Sequence, residues 1–156
     1  MKAAAGAFER TCGTSFPVPV GTPREILRTA VKKHPVHVLV VDDEPLIRWS
    51  VTETLAELGL DVEQADCAAS ALHAITSTAL PFDVVVLDLR LPDMHDLSLL
   101  ATIRQLLPTT PVVLMTAFGT PEIMAEARGL GVRAVLNKPF ELGDLGRVVL
   151  EATNAI

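Results

Sequence analysis

The fold of this chain is decided by Asp83-Val84-Val85-Val86-Leu87-Asp88, an apolar run that ends in a carboxylate. A second apolar run, Val36-His37-Val38-Leu39-Val40-Val41, leads in the same way into Asp42 and Asp43. Short continuous apolar runs are typical of strands that are buried on both faces of a parallel sheet. Ligands of open parallel sheets bind beyond the carboxyl ends of the strands, so we expect the three acids to converge there.

Two further apolar runs end in groups that suit phosphoryl chemistry. Residues 111–116 end in the hydroxyl of Thr116, and residues 132–138 end in the ammonium of Lys138. Transfer of a phosphoryl group to a carboxylate requires a nucleophilic oxygen, a metal ion and donors for the phosphoryl oxygens. Asp88 is then the candidate nucleophile, and Thr116 and Lys138 are candidate donors. Taken alone, Thr116 would be an ordinary strand-end residue and Lys138 a solvated surface charge.

The paired acids Asp42 and Asp43 are candidate metal ligands, one direct and one through water. Mg²⁺ keeps several of its own waters and binds proteins through one or two carboxylates, so it suits this set of acids. Glu44 is a further possible ligand. The alternative is that Asp43 caps the helix predicted to begin near Pro45, which could account for one of the two acids but not for both.

Taken together, these motifs resemble the receiver domain of two-component response regulators. The resemblance covers residues 36–156. Each motif is weak alone, but the four in this order and at these strand ends form a specific signal. The motifs are Val-Val-Asp42-Asp43-Glu44-Pro45, Leu-Asp88-Leu-Arg-Leu-Pro92, Leu-Met-Thr116-Ala117 and Asn-Lys138-Pro139-Phe140.

The resemblance implies several features that the residues alone do not. It implies a phosphoacceptor role for Asp88, with the backbone carbonyl of Arg90 as an additional Mg²⁺ ligand. It implies a cis Lys138–Pro139 bond that directs the lysine inward. It also implies a phosphodonor, either a sensor histidine kinase or a histidine phosphotransfer protein, and an unknown downstream protein.

Strand-like and helix-like segments alternate from Val36 onward. Five of each predict an α/β fold, a doubly wound parallel sheet with right-handed crossovers. The resemblance implies the flavodoxin-like or CheY-like (βα)5 arrangement with strand order 2-1-3-4-5. The helices are predicted at residues 45–58, 67–79, 97–107, 121–128 and 141–152, with Gly59 ending the first.

Residues 1–35 are predicted to be separate from the receiver at 36–156. Residues 1–21 are rich in small residues and Pro, which favours a tail, and Thr22-Pro23-Arg24-Glu25 resembles a helix start for residues 23–33. We expect no output domain, so the chain is either a stand-alone receiver or an excised domain. Met1 and the tail favour a complete short protein.

Charge is unevenly distributed along the 156 residues, whose formal net charge is −6. Residues 1–35 carry six basic and two acidic groups, whereas the remainder carries seven basic and 17 acidic groups. An acidic body argues against direct binding of nucleic acid, which requires a basic surface. No apolar stretch approaches a membrane span, and the two distant cysteines fit a reduced, cytoplasmic setting.

The leading functional interpretation is a signalling switch that accepts a phosphoryl group and catalyses only its own phosphorylation and dephosphorylation. The alternative is a phosphate-independent interaction module with the same fold. A haloacid-type phosphatase would have Asp-x-Asp where this chain has Asp88-Leu89-Arg90. An FMN-binding protein would have a phosphate loop rich in Ser, Thr and Gly where this chain has Asp42-Asp43-Glu44, which would repel phosphate.

Two positions depart from the receiver pattern. Asp96 stands where receivers usually have Gly, so we expect it at positive φ and expect Asp96→Gly to relieve strain. Val135 stands where receivers usually have an aromatic residue that reports phosphorylation. Trp49 is predicted to be a partly buried packing residue on the first helix.

Overall fold

The computed structural model describes residues 34–154, in which five parallel strands lie between two layers of helices. The strand order is 2-1-3-4-5, which confirms the prediction. The predicted tail at 1–21 and the predicted helix at 23–33 lie outside the described residues. The strands are β1 (His37–Val41), β2 (Asp61–Ala65), β3 (Val84–Asp88), β4 (Val112–Thr116) and β5 (Ala134–Asn137). The helices are α1 (Pro45–Glu57), α2 (Ala68–Ser77), α3 (Ser98–Leu106), α4 (Pro121–Gly129) and α5 (Leu142–Asn154).

The three central strands β1, β3 and β4 are buried along their whole length. Successive side chains of a strand point to opposite faces, so each of these strands contributes to two separate cores. In β1, Leu39 and Val41 pack with α2, α3 and α4, whereas Val38 and Val40 pack with α1 and α5. This two-sided burial explains why the strands are continuous apolar runs in the sequence.

The helices begin and end close to the predicted residues. Pro45 occupies the first turn of α1, and Gly59 follows the helix with a φ of +82°. A residue without a side chain adopts this left-handed conformation at no steric cost, which confirms Gly59 as the helix stop. In the described part of the chain, no helix combines the length and the apolar character that crossing a bilayer requires.

The prediction of positive φ at Asp96 is wrong. Within residues 34–154, positive φ occurs only at glycines, Gly59 and Gly131. The Asp96 carboxylate instead accepts the backbone N–H of Ser98 at 2.9 Å, at the start of α3. The first N–H groups of a helix have no partner within the helix, so Asp supplies a hydrogen bond that Gly could not.

Partial burial of Trp49 is also not found. Its side chain is 58% exposed, on the outer surface of α1. The helix meets the sheet through Val51 and Leu55, which are fully buried, and this face leaves Trp49 in solvent.

Candidate functional site

The predicted acids converge at the carboxyl edge of the sheet. Asp42 follows β1 and Asp88 ends β3, and these neighbouring strands bring the two carboxylates to the same edge. Asp42 is fully buried and Asp88 is 5% exposed, whereas Asp43 and Glu44 lie exposed on the following loop. The four residues can each offer an oxygen such that all four oxygens lie within 4.8 Å of one another.

Lys138 joins this acid cluster from the end of β5. Its Nζ lies 2.9 Å from Asp42 Oδ2, 3.2 Å from Asp88 Oδ2 and 3.5 Å from Glu44 Oε1. The Lys138–Pro139 peptide bond is cis, as the resemblance implied. The Lys138 backbone N–H donates to the carbonyl of Thr116 at 2.8 Å, so β4 and β5 together fix the lysine at the site. Lys138 is therefore not a solvated surface charge.

The surroundings of Asp88 act on its charge in opposite directions. Burial raises the pKa of Asp88 to about 6, the nearby charge of Asp42 adds to this rise, and the Arg90 N–H and Lys138 oppose it. The Arg90 backbone N–H donates to Asp88 Oδ1 at 3.1 Å, while Oδ2 faces the ammonium. Burial alone would lower the pKa of Lys138, but its hydrogen bond to Asp42 and the two nearby carboxylate charges raise it.

Thr116 lies at the end of β4, the strand next to β3, which ends in Asp88. It is 2% exposed, and its Oγ1 accepts the backbone N–H of Phe118 at 3.1 Å. Accepting this bond uses a lone pair of the hydroxyl and leaves its hydrogen able to donate elsewhere. Thr116 is thus tied to the loop that follows β4.

A cavity of about 220 Å³ opens beside Asp88. A volume of this size exceeds the roughly 30 Å³ that one water occupies in the liquid, so the cavity has space for a small anion with water. Its lining combines three acids, two cations, an aromatic ring and one small side chain: Asp43, Glu44, Asp88, Arg90, Ala117, Phe118 and Lys138.

The donor set fits a hard divalent cation. All the candidate side-chain ligands are carboxylate oxygens, which Mg²⁺ and Ca²⁺ prefer. Both oxygens of Asp42 already accept hydrogen bonds, Oδ1 from the Glu44 N–H at 2.9 Å and Oδ2 from Lys138. Asp43 is exposed and lines the cavity, so it is the better placed of the pair for direct coordination.

Sequence reasoning missed two side chains at this site. Arg48 of α1 donates from Nη1 to the Asp42 carbonyl at 2.8 Å and from Nε to Gln64 Oε1 at 3.2 Å, which holds the loop that carries the acids. The Arg90 guanidinium carbon lies 4.2 Å from the centroid of the Phe118 ring. Neither contact has a sequence signal, because each joins residues from different elements with no fixed spacing.

Comparison with known proteins assigns the family. A family model described as the response regulator receiver domain matches residues 38–150. The chain belongs to this family. The receiver is 38% identical over 114 residues to the response regulator protein PilR of Pseudomonas aeruginosa. It is 34% identical over 115 residues to the regulatory protein AtoC of Escherichia coli. These matches cover 73% and 74% of this chain but 25% and 24% of the relatives, so the chain spans about a quarter of their length.

Solved structures agree with this assignment. The receiver is similar to a CheY-like response regulator receiver domain protein from Methanospirillum hungatei, with a TM-score of 0.74 and 27% identity, over 78% of this chain and 96% of that one.

One relative, from Escherichia coli, is the DNA-binding transcriptional regulator NtrC, which is 36% identical over 74% of this chain and 24% of its own length. The expected lack of nucleic-acid binding therefore stays a prediction.

Proposed function

We propose that this receiver accepts a phosphoryl group on Asp88 and changes conformation in response. The observation that carries the proposal is the Lys138 ammonium held between Asp42 and Asp88, at 2.9 Å and 3.2 Å, at the edge of a cavity lined with acids. A buried carboxylate with an ammonium on one oxygen is oriented for attack by the other. Family membership supports the same chemistry, because receivers act in two-component signalling.

In the proposed transfer, an oxygen of Asp88 forms a bond to phosphorus while the bond from phosphorus to the donor breaks. The donor atom, a histidine nitrogen or the oxygen of a small acyl phosphate, keeps the electron pair. Bound Mg²⁺ would neutralise negative charge on the phosphoryl oxygens, with Asp43, Asp88 and the Arg90 carbonyl as ligands and Asp42 through water. Lys138 supplies a second positive charge on the same side of the cavity.

After transfer, the Thr116 hydroxyl donates to a phosphoryl oxygen. Its Oγ1 also accepts the Phe118 N–H at 3.1 Å, so movement of the hydroxyl transmits to the loop after β4. Phosphorylation then biases an equilibrium between two arrangements of this loop and the surfaces beside it.

The proposed donor is a sensor histidine kinase or a histidine phosphotransfer protein in the cytoplasm. An apolar groove of about 510 Å³ between α1 and the start of α5 supports a protein donor. The groove includes Leu46, which is 72% exposed, and Leu142, and it shares Lys138 and Ala117 with the Asp88 cavity. A donor helix seated there would place a histidine beside Asp88.

Leu46→Asp should slow transfer from the donor kinase and leave phosphorylation by acetyl phosphate unchanged.

The proposed function is tested with beryllofluoride, an analogue of a carboxylate-bound phosphoryl group. Because a ligand that binds only the folded state raises stability, beryllofluoride with Mg²⁺ should raise the midpoint of thermal unfolding. The rise should vanish with chelator and in Asp88→Ala. An equal midpoint with and without beryllofluoride would favour the phosphate-independent interaction module.

A further inference from the structure

A close approach at Gly119 joins β4 to the start of α4. Gly119 lies in the loop between them, with Thr116 before it and Met124 in the first turn of the helix. A methyl group placed on Gly119 would lie 2.7 Å from Met124 Sδ and 3.2 Å from Thr116 Cγ2. Non-bonded carbon atoms normally lie about 3.5–4.0 Å apart, so this methyl would overlap the sulfur and press on the threonine. The thioether and the Thr116 methyl are therefore both packed close to the Gly119 backbone.

The backbone at the end of β4 is held by residues from two other strands' ends. The Thr116 carbonyl accepts the Lys138 N–H at 2.8 Å, and the Met115 carbonyl accepts the Leu89 N–H at 3.1 Å. Thr116 is also 2% exposed, so its side chain is enclosed by neighbours. Because the backbone is fixed, pressure on the Thr116 methyl would turn the side chain about its χ1 torsion.

The methyl and the hydroxyl of Thr116 turn together because both are bonded to Cβ. A rotation that moves Cγ2 away from Gly119 also moves Oγ1, which accepts the Phe118 N–H at 3.1 Å. A β-branched side chain has few favourable χ1 values. The contact of the methyl with Gly119 therefore restricts the direction of the hydroxyl.

We propose that Gly119 is a positioning residue for the Thr116 hydroxyl. Because Gly119 has no side chain, Thr116 keeps the rotamer in which its hydroxyl can donate to a phosphoryl group on Asp88. Met124 packs against the same glycine, so the first turn of α4 keeps the loop close to Thr116. The inference rests on the proposed function, in which that hydroxyl donates to a phosphoryl oxygen.

The affinity for beryllofluoride, measured separately from the affinity for Mg²⁺, tests this role. Thr116 contacts the phosphoryl group in the proposed function and is not among the proposed metal ligands. Gly119→Ala should therefore weaken beryllofluoride binding at saturating Mg²⁺ several-fold and leave the Mg²⁺ affinity at its parent value. Titration calorimetry gives both affinities.

A second substitution at Met124 should restore the affinity that Gly119→Ala loses. In the double variant Gly119→Ala with Met124→Ala, the sulfur that the new methyl would overlap is gone. The loop can then move away from Thr116, and beryllofluoride affinity should return toward that of the parent. Met124→Ala alone adds no group beside Thr116 and should lose less affinity than Gly119→Ala.

Removal of the hydroxyl shows whether Gly119 acts through it. Thr116→Val keeps the shape of the side chain but has no hydroxyl to donate, so it should bind beryllofluoride more weakly than the parent. Adding Gly119→Ala to Thr116→Val should cause no further loss, because no hydroxyl remains to be displaced.

Gly129→Ala is the matched control for the added methyl. Gly129 lies at the end of α4, and a methyl placed on it would point into open space, so both affinities should stay at their parent values. Parent-like beryllofluoride affinity in Gly119→Ala would overturn the inference. So would an equal loss of Mg²⁺ affinity, a double variant without recovery, or a further loss in Thr116→Val. A parent that binds no beryllofluoride would contradict the proposed function itself, and this inference with it.

Discussion

Asp88 is buried and lies near the like charge of Asp42, so its ionised form lowers the stability of the folded protein. Burial first and Asp42 second raise the pKa of Asp88 to about 6, against the opposing effects of the Arg90 N–H and Lys138. The ordinary pKa of a carboxyl in an unfolded chain is about 3.9. A nearby cation favours the ionised carboxylate, which is the nucleophilic form, so metal binding should increase the reactivity of Asp88.

The raised pKa predicts how stability depends on pH without metal. Because the folded pKa exceeds the unfolded one, the protonated form of Asp88 stabilises the fold fully below pH ~4, and this contribution is lost as pH rises through about 6. Asp88→Asn has no such charge, so at pH 7.5 it should exceed the parent by about 3 kcal/mol in free energy of unfolding. Urea unfolding in chelator at pH 4.0 and 7.5 measures this. A difference between parent and Asn variant that is the same at both pH values would contradict the prediction.

Asp43 should dominate metal affinity. It is the exposed acid lining the cavity, whereas both Asp42 oxygens are already hydrogen bonded. Asp43→Ala should weaken Mg²⁺ binding by about tenfold or more, and Asp42→Ala by less. Calorimetry or the fluorescence of Trp49 on α1 gives the affinity. Asp61→Ala, an exposed acid at the other end of the sheet, is the matched control. Parent-like affinity in Asp43→Ala would place the metal elsewhere.

At the scale of elements, the loops after the strands do more than hold the site. Asp93, in the loop after β3, accepts the N–H groups of Ala68 at 2.8 Å and Ala69 at 3.0 Å, which begin α2. Asp96 in the same loop accepts the Ser98 N–H at the start of α3. One loop thus satisfies the free N–H groups of two helices while its first residues serve Asp88.

Asp96→Gly should lower the midpoint of thermal unfolding. Glycine removes the acceptor for Ser98 and adds backbone freedom to the unfolded chain, and the structure offers no positive φ for it to relieve. Asp96→Asn keeps an acceptor oxygen and should fall between the parent and the Gly variant. A Gly variant that melts above the parent would show that the hydrogen bond from Ser98 to Asp96 does not stabilise the start of α3.

The sequence predicts elements well where local patterns decide them. Apolar runs locate β1, β3 and β4, and Gly59 marks the end of α1, because burial on two faces and left-handed backbone leave local signatures. The hydrogen bond from the Ala68 N–H to Asp93 joins residues 25 apart in the chain, so it leaves no local signature in the sequence. The prediction for Asp96 failed for another reason. Asp occurs both at left-handed turn positions and at helix starts, and only the folded loop determines which of the two conformations it adopts.

At the scale of the whole molecule, the fold concentrates chemistry at one edge of the sheet. Acids from β1 and β3, the hydroxyl of β4 and the ammonium of β5 meet there because all the strands run parallel. Convergence was predictable from the pattern of strand ends. The distances to Lys138, the contact of Arg48 with the Asp42 carbonyl and the stacking of Arg90 on Phe118 were not, because they depend on side-chain geometry across elements.

The surface response to phosphorylation should be centred on residues 116–121. Val135 is partly buried against the core beneath α2, α3 and α4, and its single stiff torsion gives it little reach. The Phe118 backbone is bonded directly to Thr116, so movement of that hydroxyl reaches this loop first. Amide-shift mapping with beryllofluoride and Mg²⁺ reports the pattern. Large amide shifts across residues 132–150, with little change across residues 116–121, would contradict this prediction.

Phosphorylation of Asp88 is the central claim, and intact mass tests it most directly. The parent and Asp88→Asn are incubated with acetyl phosphate and Mg²⁺ under the same conditions. Asparagine keeps the size of the side chain but has no carboxylate to attack phosphorus. We predict that the parent gains the mass of a single phosphoryl group and that Asp88→Asn gains none. An equal gain in both proteins would contradict the account.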